Sequence, residues 1–258
     1  MPEEPSMSGP FSQGPPVNQA TSARSTAVES GSLIPVPQKL LMWLTYGTAG
    51  TVLFPVIYLI EGATRPDYNA LQQAISALSL GPDGWIQQVN FALCGVSVLW
   101  LAFVWRQILR DGVCATLYPI IRGIEGVGLV AIAIFSQDPG YGYPPGAPAG
   151  AGPSTLGGTL HLSFTILVVQ AMCLGLLVIA WRLWKTPHLR GWAAFSLACG
   201  LLPMVFMPFF VLAQNNTHSV FAGYAGLFER LATNADTMWG AVLLIPLWAG
   251  KRLMRPGE

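Results

Sequence analysis

Residues 40–60 read LLMWLTYGTAGTVLFPVIYLI, a run without a single charged side chain. A transmembrane α-helix needs about 20 mostly apolar residues, because the hydrocarbon core is about 30 Å thick and each helical residue rises about 1.5 Å. The sequence therefore predicts an all-α, polytopic integral membrane bundle of six transmembrane helices. The other five spans are expected at residues 88–109, 113–135, 158–181, 191–213 and 225–249.

The composition agrees with a chain that is surrounded by lipid. Hydrophobic residues make up 52% of the 258 residues and charged residues only 10%, against about 25% in a soluble domain. The net charge of +1 provides no field that would attract nucleic acid, so none is expected as a partner. The four cysteines lie one in each of four apolar runs without CxxC spacing, which favours small core side chains over metal ligands.

Basic residues predict the topology, because short cytoplasmic loops retain Lys and Arg. With six spans only Arg65 lies on the outer side, and both the N- and C-terminal ends are predicted to be cytoplasmic. The predicted domains are a disordered Pro/Ser/Gly-rich tail at 1–34, a membrane domain at 35–252 and a short tail at 253–258. Ten basic residues share the inner side: Arg24, Lys39, Arg106, Arg110, Arg182, Lys185, Arg190, Lys251, Arg252 and Arg255.

The two long outer loops carry the most distinctive motifs. Between the first two spans, Leu71, Ile75 and Leu78 have helical spacing, which predicts a short amphipathic helix in the membrane interface within residues 68–80. The loop between spans three and four is rich in Pro, Gly and Tyr and is expected to fold back as a lid over the outer helix ends.

These loops, and motifs in the later spans, resemble the bacterial multi-pass membrane protein family of domain of unknown function nine-nine-eight. The resemblance covers about residues 40–250 and implies a bacterial membrane fold, with the inner membrane as the expected location, but no activity. Its motifs are EGATRPDYN at 61–69, ISALSLGPDGWIQ at 75–87, GVGL at 126–129, DP at 138–139, GYPPG at 142–146, GTLH at 158–161 and GLFER at 226–230.

Charged residues inside spans three and six form the first candidate site. A charge in the bilayer costs about 2.5–3.5 kcal/mol, so such residues pair or line a cavity. Arg122 and Asp236 both fall near mid-membrane and are predicted to pair, with Glu125 turned toward Arg230. The cluster either clamps the two helices together or lines an outward-facing polar pocket between helices 3, 4 and 6, in which the arginines would bind a lipid headgroup or another anionic group.

A second candidate site lies at the outer helix ends. Ser76, His161 and Asp138 are the ingredients of a hydrolase, in which His accepts the Ser proton and a carboxylate orients the ring. Asp67 with Asp138 and His161 offers a metal-ligating alternative. The favoured interpretation is structural: these groups and Arg65 hold the loops onto the helix ends, Asp138 by an Asx-type turn, and no metal or other cofactor is expected.

Three functions follow from these patterns. The first is binding or moving a lipid or small amphiphile through the pocket, with Arg65, Arg122, Glu125, Arg230 and Asp236 as binding residues. The second is a membrane-embedded, hydrolase-like enzyme acting on a lipid or isoprenoid at the outer leaflet. The third is a structural subunit of a membrane complex. Membrane lipids are the expected partners, and the oligomeric state is left open.

Overall fold

The computed structural model describes residues 36–215 and 218–249, so the predicted tails at 1–34 and 253–258 lie outside the described residues. The described part of the chain is all-helical, with no β-strand. Two short 3-10 helices lie between the long ones, Ile75–Ser79 at one end of the bundle and Pro187–Leu189 at the other. The six long helices are α1 Gln38–Thr64, α2 Gly84–Ile108, α3 Cys114–Ile134, α4 Leu156–Trp184, α5 Arg190–Asn215 and α6 Ala225–Trp248.

Five of these helices, α1 to α5, are long and apolar enough to cross a membrane. Their large apolar side chains point away from the protein: Leu59, Val96, Val127 and Leu174 are each more than half exposed. The charged side chains near the middle of the helices, Arg122, Glu125 and Asp236, are buried instead. This inverts the distribution of a water-soluble protein, and it confirms the prediction of a helical bundle in a multi-pass membrane protein.

Helix α6 is less apolar than the others because it carries three buried charged residues. It nevertheless runs antiparallel to α1 along most of its length. The Trp248 indole N–H donates to Thr45 Oγ1 at 3.0 Å, and thirteen to fourteen residues away the Asn234 amide donates to the Tyr58 hydroxyl at 2.6 Å. The protein interior therefore shields the polar face of α6, as the prediction of a sixth span requires.

The helices form a ring in which each helix packs against the next and α6 returns to α1. Helices α4 and α6 hardly touch, because α5 packs between them on the outside of the ring. Helices α2 and α3 approach each other closely at Gly95, where an added Cβ atom would lie 2.8 Å from the carbonyl oxygen of Gly126. Following the predicted topology, the end of the ring at which α1 begins is called the inner end, and the opposite end the outer end.

The first outer loop does not form the predicted interfacial amphipathic helix. Only Ile75–Ser79 is helical, all five of its residues are buried, and it packs against α1, α2 and α6 as a plug in the outer end of the ring. The cause is Arg65, whose guanidinium donates to the carbonyl oxygens of Leu78 (3.3 Å), Leu80 (3.3 Å) and Asp83 (3.0 Å). Because Arg65 already hydrogen-bonds these carbonyl groups, the segment does not need the backbone hydrogen bonds of a regular helix to satisfy them.

The loop between α3 and α4 folds back over the first outer loop, as expected of a lid. Its Tyr143 side chain is buried and packs edge-on against the Tyr68 ring, with 5.4 Å between ring centroids. Burial raises the pKa of both phenols above the ordinary tyrosine value, so both stay neutral and can pack in this apolar contact.

Candidate functional site

A cavity of about 80 Å³ lies inside the ring. One water molecule needs about 10–15 Å³ of such space, so the cavity has room for several waters or for a small chemical group. Helices α1, α2, α3, α4 and α6 and the outer 3-10 helix line it, whereas α5 does not. Its walls are mostly apolar, and its polar lining residues are Thr51, Ser76, Glu125, His161, Thr165, Glu229, Thr233, Asp236 and Thr237.

The inner side of the cavity is limited by the ion-pair cluster of Arg122, Glu125 and Asp236. Arg122 Nη1 donates to Asp236 Oδ1 at 2.6 Å and to Glu125 Oε2 at 2.8 Å, and all three side chains are buried. The predicted pairing of Arg122 with Asp236 is therefore confirmed, and it joins α3 to α6 across the middle of the ring. One guanidinium serves two carboxylates, so the cluster carries a net negative charge when all three groups are ionised.

An aromatic plug formed by Trp105, Tyr118 and Trp239 lies on the inner side of this cluster. Ring centroids are 5.5 Å apart between Trp105 and Tyr118 and 5.9 Å apart between the two tryptophans. All three side chains are at most 3% exposed. The plug narrows the ring on the inner side of the cavity. A second cavity beside the plug measures only about 10 Å³, so the larger polar space lies in the outer half of the bundle.

The predicted contact between Glu125 and Arg230 is wrong, because Glu125 binds Arg122. The Arg230 guanidinium instead donates to the carbonyl oxygens of Gly226 (2.8 Å) and Gln73 (3.2 Å) and to the Tyr68 hydroxyl (2.7 Å). These partners belong to α6 itself and to the first outer loop. Arg230 therefore anchors that loop to the outer end of α6.

This arrangement determines which charges face the cavity. Neither Arg122 nor Arg230 is among its lining residues, while Glu125, Glu229 and Asp236 are. The predicted arginine side chains are thus used within the protein, and the cavity presents carboxylates in their place. Arg65 lies outside the cavity too, where it pairs with Glu61 and binds the loop carbonyls.

Glu229 links the outer 3-10 helix to the cavity. Its Oε2 accepts a hydrogen bond from the Ile75 backbone N–H at 2.6 Å, which holds this carboxylate near the outer end of α6. Its Oε1, Glu125 Oε1 and Asp236 Oδ2 have no hydrogen-bond partner among residues 36–215 and 218–249. Each of the three carboxylates therefore keeps one oxygen available to an occupant of the cavity.

His161 contributes a further acceptor. Its Nδ1 lies 2.7 Å from the carbonyl oxygen of Phe135. Because a carbonyl can only accept, Nδ1 carries the proton, and Nε2 is an acceptor in the neutral ring. Thr155 begins α4 as its N-cap by accepting from the Gly158 N–H, and this sets the position of His161 within the first two turns.

The three candidate hydrolase residues do not form a triad. Ser76 Oγ donates to Gln137 Oε1 at 2.6 Å, and Asp138 accepts from the backbone N–H (2.9 Å) and hydroxyl (2.6 Å) of Thr155. The Thr155 hydroxyl and N–H lower the pKa of Asp138. Asp138 thus ties the two ends of the lid loop together, rather than forming the predicted Asx-type turn or orienting His161.

The metal-ligating alternative gains no support from the geometry. In the described part of the chain, no three His, Cys, Asp or Glu side chains are grouped as metal ligands. The cysteines Cys94, Cys114, Cys173 and Cys199 are all buried and unpaired with one another, in agreement with their predicted place in the core.

The predicted pocket between helices 3, 4 and 6 omitted the parts of the cavity that come from α1 and α2, and its threonines were not among the predicted binding residues. Thr233 lies four residues and Thr237 eight residues after Glu229 on α6, so helical periodicity places them near the face of that carboxylate. Thr51 and Thr165 gave no comparable signal, because an isolated threonine in an apolar span is common.

A family model described as Protein of unknown function (DUF998) matches residues 48–246, which is well over half of the chain. The matched region includes every residue that lines the cavity. No curated protein and no solved structure shows a significant match to the chain.

Proposed function

Since the chain belongs to the DUF998 family, whose description assigns no activity, we propose from its interior site that it binds or moves a lipid or small amphiphile. The polar end of this ligand occupies the cavity, and its apolar part extends toward the surrounding lipid. The observation that carries the proposal is a mostly apolar cavity in the interior of a membrane bundle whose polar lining includes unpartnered carboxylate oxygens.

The energetics of burial support an occupant. Polar groups that are buried without a hydrogen bond cost about 1–3 kcal/mol each, and more when they are charged. Three carboxylates and His161 each leave one acceptor open to the same space. Water or a ligand must satisfy these atoms, and the apolar walls around them favour a ligand that is itself partly apolar.

We expect the apolar chain to reach the cavity along the seam between α4 and α6. These two helices hardly touch, and α5 packs against both of them. In the outer half of α5, the lipid-facing side chains Met204, Val205 and Val211 are each at least half exposed. The aromatic plug of Trp105, Tyr118 and Trp239 leaves only a cavity of about 10 Å³ in the opposite direction, which favours exchange with the outer leaflet over passage through the whole membrane.

Mass spectrometry of the protein purified in mild detergent tests the proposal. Wild-type protein is expected to retain a bound lipid or amphiphile. Val169→Phe, which fills part of the cavity, should lose most of it, whereas Val96→Phe makes the same change on the lipid-facing side of α2 and should not. Equal recovery from all three proteins, or none from wild type, would contradict the proposal.

The hydrolase alternative makes a different prediction in the same experiment. It requires His161 to accept the Ser76 proton, whereas that proton is directed to Gln137, and no carboxylate of the described residues binds the imidazole. We therefore expect the recovered lipid to be chemically intact. Turnover of that lipid that disappears in His161→Ala would restore the enzyme hypothesis.

A further inference from the structure

The polar atoms that face the cavity are almost all hydrogen-bond acceptors. Four of its five hydroxyl groups direct their protons to atoms of the protein at 2.6–2.9 Å, so only their oxygen lone pairs remain available. The exception within the described residues is Thr237. The four committed hydroxyls belong to Thr51, Ser76, Thr165 and Thr233.

The ionisable groups add to this pattern. Glu125, Glu229 and Asp236 each present one unpartnered oxygen, and an ionised carboxylate only accepts. His161 presents Nε2, the acceptor nitrogen of the neutral ring whose Nδ1–H is bound by a backbone carbonyl. Acceptors from α3, α4 and α6 thus converge on one space, and an occupant must supply the protons.

The charges around this space favour a cation. Arg122 provides one positive charge against two carboxylates, and the Arg230 guanidinium is directed to the first outer loop. Glu229 is held at the outer side of the cavity by the uncharged Ile75 N–H. An anionic group would meet several acceptors and, among the described lining residues, one uncommitted donor, the Thr237 hydroxyl, at a cost that the weak dielectric screening of this interior increases.

We infer that the ligand of this cavity bears a cationic hydrogen-bond donor, an ammonium group on an apolar chain. This inference rests on the proposed function and adds the chemistry of the head group. An ammonium group has three donors and no acceptor, which complements an array of carboxylate and imidazole acceptors on three helices. A cavity of about 80 Å³ holds such a head group while the chain lies in the seam between α4 and α6.

Three probes with the same six-carbon chain test the head group on wild-type protein in detergent: hexylammonium, hexan-1-ol and hexanoate. Isothermal titration calorimetry should show hexylammonium binding at least about tenfold more tightly than hexan-1-ol, since charge-assisted hydrogen bonds are worth about 1.5–3 kcal/mol. Hexanoate should show no saturable binding. Val169→Phe should abolish the hexylammonium signal if the probe occupies the cavity.

Carboxylate variants test the recognition itself. Glu229→Gln should weaken hexylammonium binding about tenfold, while Asp83→Asn, an exposed carboxylate outside the cavity, should leave it unchanged. Hexanoate or hexan-1-ol binding as tightly as hexylammonium, in a manner lost in Val169→Phe, would refute the ammonium assignment and leave amphiphile binding intact. Failure of all three probes together with the absence of co-purified lipid would refute both.

Discussion

Replacement of Arg122 by Met tests the ion-pair cluster most directly. Methionine preserves much of the length of the side chain but removes the cation that Glu125 and Asp236 share at 2.8 and 2.6 Å. Both carboxylates would then be buried in the bundle without a counter-charge. By contrast, Asp236→Asn leaves Arg122 paired with Glu125, so we expect it to be the milder change.

The expected magnitudes follow from burial. At an effective dielectric constant of about 20, two unit charges about 4 Å apart attract by about 4 kcal/mol. Removal of one partner from a buried pair costs about 3–5 kcal/mol, because the other charge remains uncompensated, and we expect this loss for Arg122→Met. For Asp236→Asn we expect about 1–3 kcal/mol. The double variant should cost about 1–3 kcal/mol less than the sum of the two single changes.

Thermal unfolding of the purified proteins in detergent measures these differences. At about 2–4 °C per kcal/mol for a chain of this size, Arg122→Met should lower the unfolding midpoint by about 6–20 °C. Asp236→Asn should lower it less, and the double variant should be close to the worse of the single variants. Strictly additive losses, or a larger loss in Asp236→Asn than in Arg122→Met, would refute the energetic role assigned to the cluster.

Three further predictions concern topology, the lid loop and helix packing. Cysteine at Ala149 should react with an impermeant thiol reagent on intact cells and cysteine at His188 should not, since the native cysteines are buried; the reverse pattern would overturn the orientation. The lowered pKa of Asp138 means that its carboxylate stabilises the lid loop fully above about pH 4 and less as the pH falls further. The protection of the loop amides relative to their intrinsic hydrogen-exchange rates should therefore decrease at low pH in wild type but not in Asp138→Asn. Gly95→Ala places a Cβ atom 2.8 Å from a carbonyl oxygen of α3 and should cost about 1–3 kcal/mol, whereas Gly123→Ala meets nothing within 4 Å and should not destabilise; equal thermal midpoints would contradict the close α2–α3 contact.

The correct sequence predictions share one physical basis. Hydrocarbon imposes the length and the polarity of each span, so helix positions could be inferred from single stretches such as residues 40–60. The same constraint makes an unpaired charge in a span costly. Arg122 and Asp236 were predicted to meet because a constant rise per residue places both near mid-membrane, and depth alone was sufficient to identify them as partners.

The wrongly predicted contacts depend on how each helix is rotated about its axis and on how far the long side chains extend. With Arg122 level with Asp236, Glu125 lies three residues and Arg230 six residues nearer the outer end, and the Arg230 guanidinium reaches Tyr68 in the first outer loop. That loop in turn takes its 3-10 conformation from Arg65, which binds carbonyls thirteen to eighteen residues further along the chain. Local periodicity contains no information about such partners.

The amino-acid sequence by itself determines the positions of the spans, the lipid-facing surface and the need to pair buried charges, because the bilayer acts on each helix separately. It does not determine the cavity, because the cavity exists only where five helices and the outer 3-10 helix leave space between them. The excess of hydrogen-bond acceptors in the cavity likewise depends on tertiary contacts, because these direct Arg122, Arg230 and four hydroxyl protons to other groups of the protein. For this reason we propose a cationic donor as the ligand, where the sequence alone had favoured an anion.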